Sequence, residues 1–170
     1  MSRVTQPPID RRTVLRGGLV AGVAVAGAGV VGLSGCSTGP SEETLLAESL
    51  TPLVRSALAD EATARGLAAV ESGYAAALTV VADQRARHAR AVREEITRLD
   101  QEVAAAIDKT PATSAPPAPA PAPTLERLRA DLGASGEQAH DIAITTAGYP
   151  AGLAGSIAAA VTSMREVQLA

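Results

Sequence analysis

Aromatic residues are nearly absent: the 170-residue chain has no Trp, no Phe and only two Tyr. That speaks against a β-sandwich or barrel, whose strands lean on aromatic and β-branched side chains. Cysteine is nearly absent too. A single Cys excludes an internal disulfide, a Cys-based zinc knuckle and a CxxC redox pair. Basic blocks are missing, and the net charge is −3, so nothing supports nucleic-acid binding. What the chain has in abundance is alanine, 37 residues of the strongest helix former. The composition therefore points to an all-α protein.

The N-terminal region reads as an address rather than as part of the fold. Arg3, Arg11, Arg12 and Arg16 stand against one acid, Asp10, and Gly17 to Leu33 follows without a charge. This segment is short for a membrane span of about 20 residues, and its glycines lower its hydrophobicity further. Arg11-Arg12-Thr13-Val14-Leu15-Arg16 resembles a twin-arginine export signal. Leu33-Ser34-Gly35-Cys36 resembles a bacterial lipobox, in which the cysteine thiol receives diacylglycerol and the chain is cut before it. The resemblance implies a signal peptide over 1–35, with Arg11 and Arg12 as the export signal. Cys36 becomes the site of lipid attachment (palmitate among its acyl chains), holding the protein on the extracytoplasmic face of the cell membrane. The remaining chain carries 11 basic and 17 acidic side chains, a net charge of −6. Such a body is repelled weakly by anionic lipid and needs its anchor.

Residues 36–50 form a lipid-anchored tether with a short helical piece over Leu45–Leu50. Residues 51–170 form a helical bundle. Thr51-Pro52 reads as an N-cap with proline at the first helical position, opening a helix that runs to about Val70. Ser72-Gly73 is the expected break. A second helix carries Tyr74, Leu78, Val81, Val92, Ile96, Leu99, Val103 and Ile107 on one face, about 34 residues or 50 Å long. Lys109 to Pro123 (109–123) is a Pro/Ala linker suited to polyproline II, with a reach of about 45 Å. Thr124 caps a third helix, Gly148-Tyr149-Pro150 ends it, and a fourth continues to the C-terminus. A linker of that reach fits either a crossover along a four-helix bundle or a spacer bulging from an up-down bundle.

Polar residues interrupt the apolar faces. Counted at about 100° per residue, Glu61 falls near the centre of the stripe Val54–Leu58–Ala68. On the second helix Arg85 falls at the centre of the stripe and His88 beside it. A turn at Gly73 sets Glu61 level with Arg85, so the three form an expected buried polar cluster, since a lone buried charge is very costly.

A core Glu, then ADQRARHARAVREEI on a long helix, then two helices meeting at TTAGYPAGLAGSIAAAV, resembles the ferritin-like, Ala-rich lipoproteins of actinobacteria, a family without settled activity. The resemblance implies a ferritin-like bundle over about residues 50–170. Di-iron members of that fold take a Glu from each of two helices and Glu-x-x-His from the others. Here Glu61 matches one Glu and His88 one His, but Arg85 stands three before His88, and a guanidinium is electrostatically wrong beside Fe²⁺ or Mn²⁺. The expected protein is a non-enzyme without a cofactor, binding an envelope protein or lipid partner. The alternative is a metal-binding or redox protein using Glu61 and His88, with Glu95 or His140. Glu137 and Asp141 flank His140, off the main stripe. No Ser-His-Asp set, phosphate loop or HExxH motif is present.

Overall fold

The computed structural model describes residues 39–109 and 122–170, and all the regular structure in them is helical. The elements are α1 (Glu42–Ala68), α2 (Ala75–Leu99), α3 (Gln101–Ala106), α4 (Leu125–Thr145) and α5 (Gly148–Ser163). A single wide π-helical turn over Met164–Gln168 follows α5. The expected export signal, the lipobox with Cys36 and most of the Pro/Ala linker lie outside the described residues. None of the described helices is long and apolar enough to cross a membrane.

Helix α1 begins earlier than the proline signal indicates. Ser41 Oγ accepts from the Thr44 amide at 3.1 Å, and Glu42 and Glu43 occupy the first turn, where the helix dipole favours negative charge. The helix continues through Pro52, so Thr51 is not a cap; its hydroxyl donates instead to the Ala47 carbonyl at 3.2 Å. An interior proline costs about 3 kcal/mol. Burial of Leu50, Leu53 and Val54 on either side of it offsets that cost, while Pro52 itself faces solvent. The expected break near Gly73 is present as a turn between Ala68 and Ala75.

The expected 34-residue second helix is divided at Asp100. This residue takes an extended conformation (φ −155°, ψ 112°), and its Oδ1 accepts from the amides of Glu102 and Val103 at 2.8 and 3.1 Å. Its Oδ2 accepts from the Thr44 hydroxyl at 2.8 Å, tying the break to the start of α1. The short α3 then folds back, and Arg93 pairs with Asp108 at 2.6 Å. Thr124 caps α4 as expected, accepting from the Arg127 amide at 3.1 Å. Gly148-Tyr149-Pro150 starts α5 rather than ending α4. Thr146 and Ala147 are extended, and Gly148 has φ +67°, a conformation open to glycine at little steric cost. Proline then fits the first turn of α5, where a missing N–H is harmless.

Helices α1 and α2 form one hairpin and α4 and α5 another, with α1 also packed along α4. At one end, Arg129 lies over the Tyr74 ring, 5.8 Å from its centroid, and its Nε donates to the Leu169 carbonyl at 2.6 Å. The Tyr74 hydroxyl donates to the Ala170 carbonyl at 3.1 Å, so the end of α1, the starts of α2 and α4 and the last residues meet there.

The buried positions follow a repeat of 3 and 4. They run through Leu50, Leu53, Ala57, Asp60, Ala64 and Leu67 on α1, and Leu78, Ala82, Arg85, Ala89, Val92 and Ile96 on α2, with Ala47, Val54, Val81 and Glu95 buried alongside. On α4 they are Leu128, Leu132, Ser135 and Ala139, and on α5 Pro150, Ala154, Ile157, Val161 and then Met164. This is a heptad seam with a period of about 3.5 residues, the pattern of knobs-into-holes packing. Small residues let α4 and α5 approach: a Cβ at Gly155 would sit 3.7 Å from that of Ala143, and one at Gly136 3.6 Å from Val161 Cγ1.

Asp100→Ala removes the α3 cap and the bond to Thr44 together. The expected loss is about 1–2 kcal/mol in urea unfolding, whereas an unchanged midpoint would show that the break is held by packing alone.

Candidate functional site

Three seam positions in the middle of the fold are polar, and they meet. Asp60 on α1 is 3% exposed and Arg85 on α2 only 1%. Arg85 Nη2 stands 2.9 Å from Asp60 Oδ2, and the buried Ser135 hydroxyl of α4 donates to the same oxygen at 3.1 Å. Arg85 also reaches the Ser56 hydroxyl at 3.4 Å and His88 Nδ1 at 3.3 Å. Among the described residues its Nε has no partner. One carboxylate thus links three helices.

The acid in this cluster is Asp60, not the expected Glu61. Glu61 turns outward to Arg65, with Oε1 3.0 Å from Arg65 Nη2, one turn along the same helix. The reason lies in the period. A stripe counted at 100° per residue drifts about 20° per heptad from a seam of period 3.5. Val54, Leu58 and Ala68 average that drift onto Glu61, although Leu58 is 40% exposed. The seam Leu50–Leu53–Ala57–Asp60–Ala64–Leu67 was legible in the sequence had the 3-4 alternation been followed. Arg85 and His88 lie together as expected.

Burial acts against both charges of the pair. It pushes the Asp60 carboxyl above its ordinary range, with Arg85 and Ser135 pulling it back, and it pushes the Arg85 guanidinium down, with Asp60 holding it up. An arginine in a protein stays protonated, so the pair is ionic. His88 is lowered to about 4, first by burial and then by the positive charges of Arg85 and Arg87. Because arginine only donates, His88 Nδ1 accepts, and the imidazole is neutral near pH 7 with its proton on Nε2.

These residues do not fit a ferritin-like metal centre. A guanidinium fills the middle of the seam, and among the described residues no three His, Cys, Asp or Glu side chains stand close enough to hold an ion. The other candidate ligands are dispersed. Glu95 is buried on α2 but held by Nε and Nη2 of Arg98, at 2.8 and 2.6 Å. His140 is exposed on α4, in a groove against α5 with Glu137, Asp141 and Arg165. Glu61 and His88 are not brought together as a ligand pair.

Sequence reasoning missed Ser56 and Ser135 as well as Asp60, because a serine on an Ala-rich face carries little signal of its own. Tyr74 packs at a helix end with its hydroxyl bonded, while Tyr149 is 64% exposed and lies against Glu94, Glu95 and Arg98. The chain matches no family model, no curated protein and no solved structure.

Asp60→Ala leaves Arg85 charged and unpaired, with an expected loss of about 3–5 kcal/mol. Glu61→Ala is expected to cost less than about 0.5 kcal/mol, as for an exposed pair. Equal losses in urea unfolding would reverse the assignment. A separate expectation concerns pH. The folded state keeps His88 neutral with a pKa of about 4 against 6.5 unfolded. Its contribution is therefore complete above pH 6.5 and is lost as the pH falls toward 4, where the unfolded chain binds the extra proton. His88→Asn retains an acceptor near Nδ1, and its unfolding free energy should fall less across that window than that of the wild type. Parallel curves would show that His88 titrates normally.

Proposed function

We propose that the chain is a lipid-anchored envelope protein whose helical domain is a non-catalytic binding module. The observation that carries the reading is the Asp60–Arg85 pair. It occupies the centre of the seam with a self-neutralising bond, where a catalytic ferritin-like bundle carries metal-binding carboxylates and histidines. His88 is engaged by Arg85, and the buried Ser135 hydroxyl is committed to a carboxylate already paired with that arginine. The reading also rests on Arg11-Arg12 and on Leu33-Ser34-Gly35-Cys36, which make Cys36 the anchor and the outer face of the cell membrane the location.

The proposed architecture is a four-helix bundle of ferritin-like topology, α1, α2, α4 and α5 being the four helices. Helix directions support it. Arg129, near the start of α4, stacks on Tyr74 just after α1, so α1 and α4 run in opposite senses. Helices α2 and α4 therefore run in the same sense, which calls for a crossover between them. A Pro/Ala connection with a reach of about 45 Å suits that crossover.

Two measurements test this proposal. Cys36→Ala is expected to leave the chain at its full-length mass and to move it out of the detergent phase; wild-type mass and partitioning would remove the lipoprotein reading. Elemental analysis of the protein isolated from its own membranes, without a tag or chelating resin, is expected to give no stoichiometric metal. One or two equivalents, lost in Glu61→Ala or His88→Ala, would replace the binding module with metal or redox chemistry.

A further inference from the structure

A groove of about 430 Å³ runs between α1 and α4, directly over the polar cluster. Its lining includes Asp60, Ser135, Thr63, Gln138 and the Arg127–Asp131 pair, with Pro52, Ala59 and Ala134 supplying an apolar strip. That volume lies within the range of small-ligand sites, which combine apolar surface with a few placed polar groups.

The charges in this groove are already balanced. Asp131 is held by Arg127 Nε at 2.9 Å, and Asp60 by Arg85 at 2.9 Å. A free cation or anion would therefore add an uncompensated charge. What remains uncommitted is hydrogen-bonding capacity. Both bonds to Asp60 go to Oδ2, and its Oδ1 receives none from the described residues, although the side chain is only 4% exposed and borders the groove. Thr63 and Gln138 make no side-chain hydrogen bond to any described residue, yet stand in the same lining. Asp60 thus brings to the groove lining a carboxylate with one oxygen that no described residue bonds. The set presents an acceptor at Asp60, a donor and acceptor at Thr63, and both again at the Gln138 amide.

We infer that the α1–α4 groove is a binding site for an uncharged, polyhydroxylated ligand, a saccharide unit, with Asp60 Oδ1 accepting from one of its hydroxyls. Such a ligand offers donors and acceptors in alternation without disturbing the two ion pairs, and its C–H faces meet Pro52, Ala59 and Ala134. The geometry stands apart from the anchoring at Cys36: the site is the same on a tethered or an untethered chain.

The test titrates the ¹⁵N-labelled full chain in detergent with glucose, galactose and arabinose, with putrescine as a cationic comparator. The expected result is saturable movement of the Ser56, Thr63, Ser135 and Gln138 amide resonances with at least one of the sugars. Thr63→Val and Gln138→Leu leave the Asp60–Arg85 pair intact and should each weaken binding about five- to tenfold, in line with one lost hydrogen bond. Asp60→Asn is not required to fold for the test to stand. No saturable shift with any sugar overturns the inference, as does binding that Thr63→Val and Gln138→Leu leave unchanged. A response to putrescine alone also overturns it, assigning the groove to a cation instead.

Discussion

The structure depends on one buried ion pair. Asp60 and Arg85 sit at neighbouring seam positions of α1 and α2, nearly sealed from solvent, and Ser135 brings α4 to the same carboxylate oxygen. A core of Ala, Leu and Val excludes water without discriminating strongly between registers, since many alanine positions are equivalent. A charge pair discriminates. Sliding α2 by one turn would leave a guanidinium among aliphatic groups, which is far more costly than misplacing a methyl. The pair contributes little net stability over a well-packed apolar replacement; it makes the alternatives worse.

The same pair shapes what the middle of the molecule can do. A ferritin-like bundle concentrates carboxylates and histidines on facing helices so that a metal can neutralise them. Here the positive charge is supplied by the chain itself, and His88 is kept neutral by its burial beside two arginines. The centre therefore ties three helices together through one carboxylate. Polar side chains also line its edge, between α1 and α4, where Asp60, Thr63 and Gln138 border the groove. The ligand proposed for the groove follows from charges already cancelled.

Much of the organisation was legible in the chain. Alanine abundance and the scarcity of aromatics indicate helices, Thr124 indicates the start of α4, and Ser72-Gly73 indicates the turn before α2. Arg85 stands out because a charge on an apolar face needs a partner. Other signals misled for identifiable reasons. Pro52 carries the usual mark of a helix start, but burial of Leu50, Leu53 and Val54 outweighs its missing hydrogen bond. Asp100 lies inside an unbroken apolar pattern, and only its three hydrogen bonds reveal the break. Gly148-Tyr149-Pro150 reads equally as an end or a beginning until the backbone of Gly148 is known.

Local chemistry, then, was decided along the chain: helix formation by alanine-rich segments and capping by Ser41 and Thr124. These properties depend on residues within a few positions of one another, so the order of residues is enough to determine them. The partner of Arg85 was decided in three dimensions. Asp60 and Glu61 are adjacent, both acidic and both near the apolar stripe, and composition cannot separate them. The slow drift between a period of about 3.6 in a straight helix and 3.5 in a packed one turns Asp60 inward and Glu61 toward Arg65. That rotation arises only when α1 has α2 and α4 to pack against.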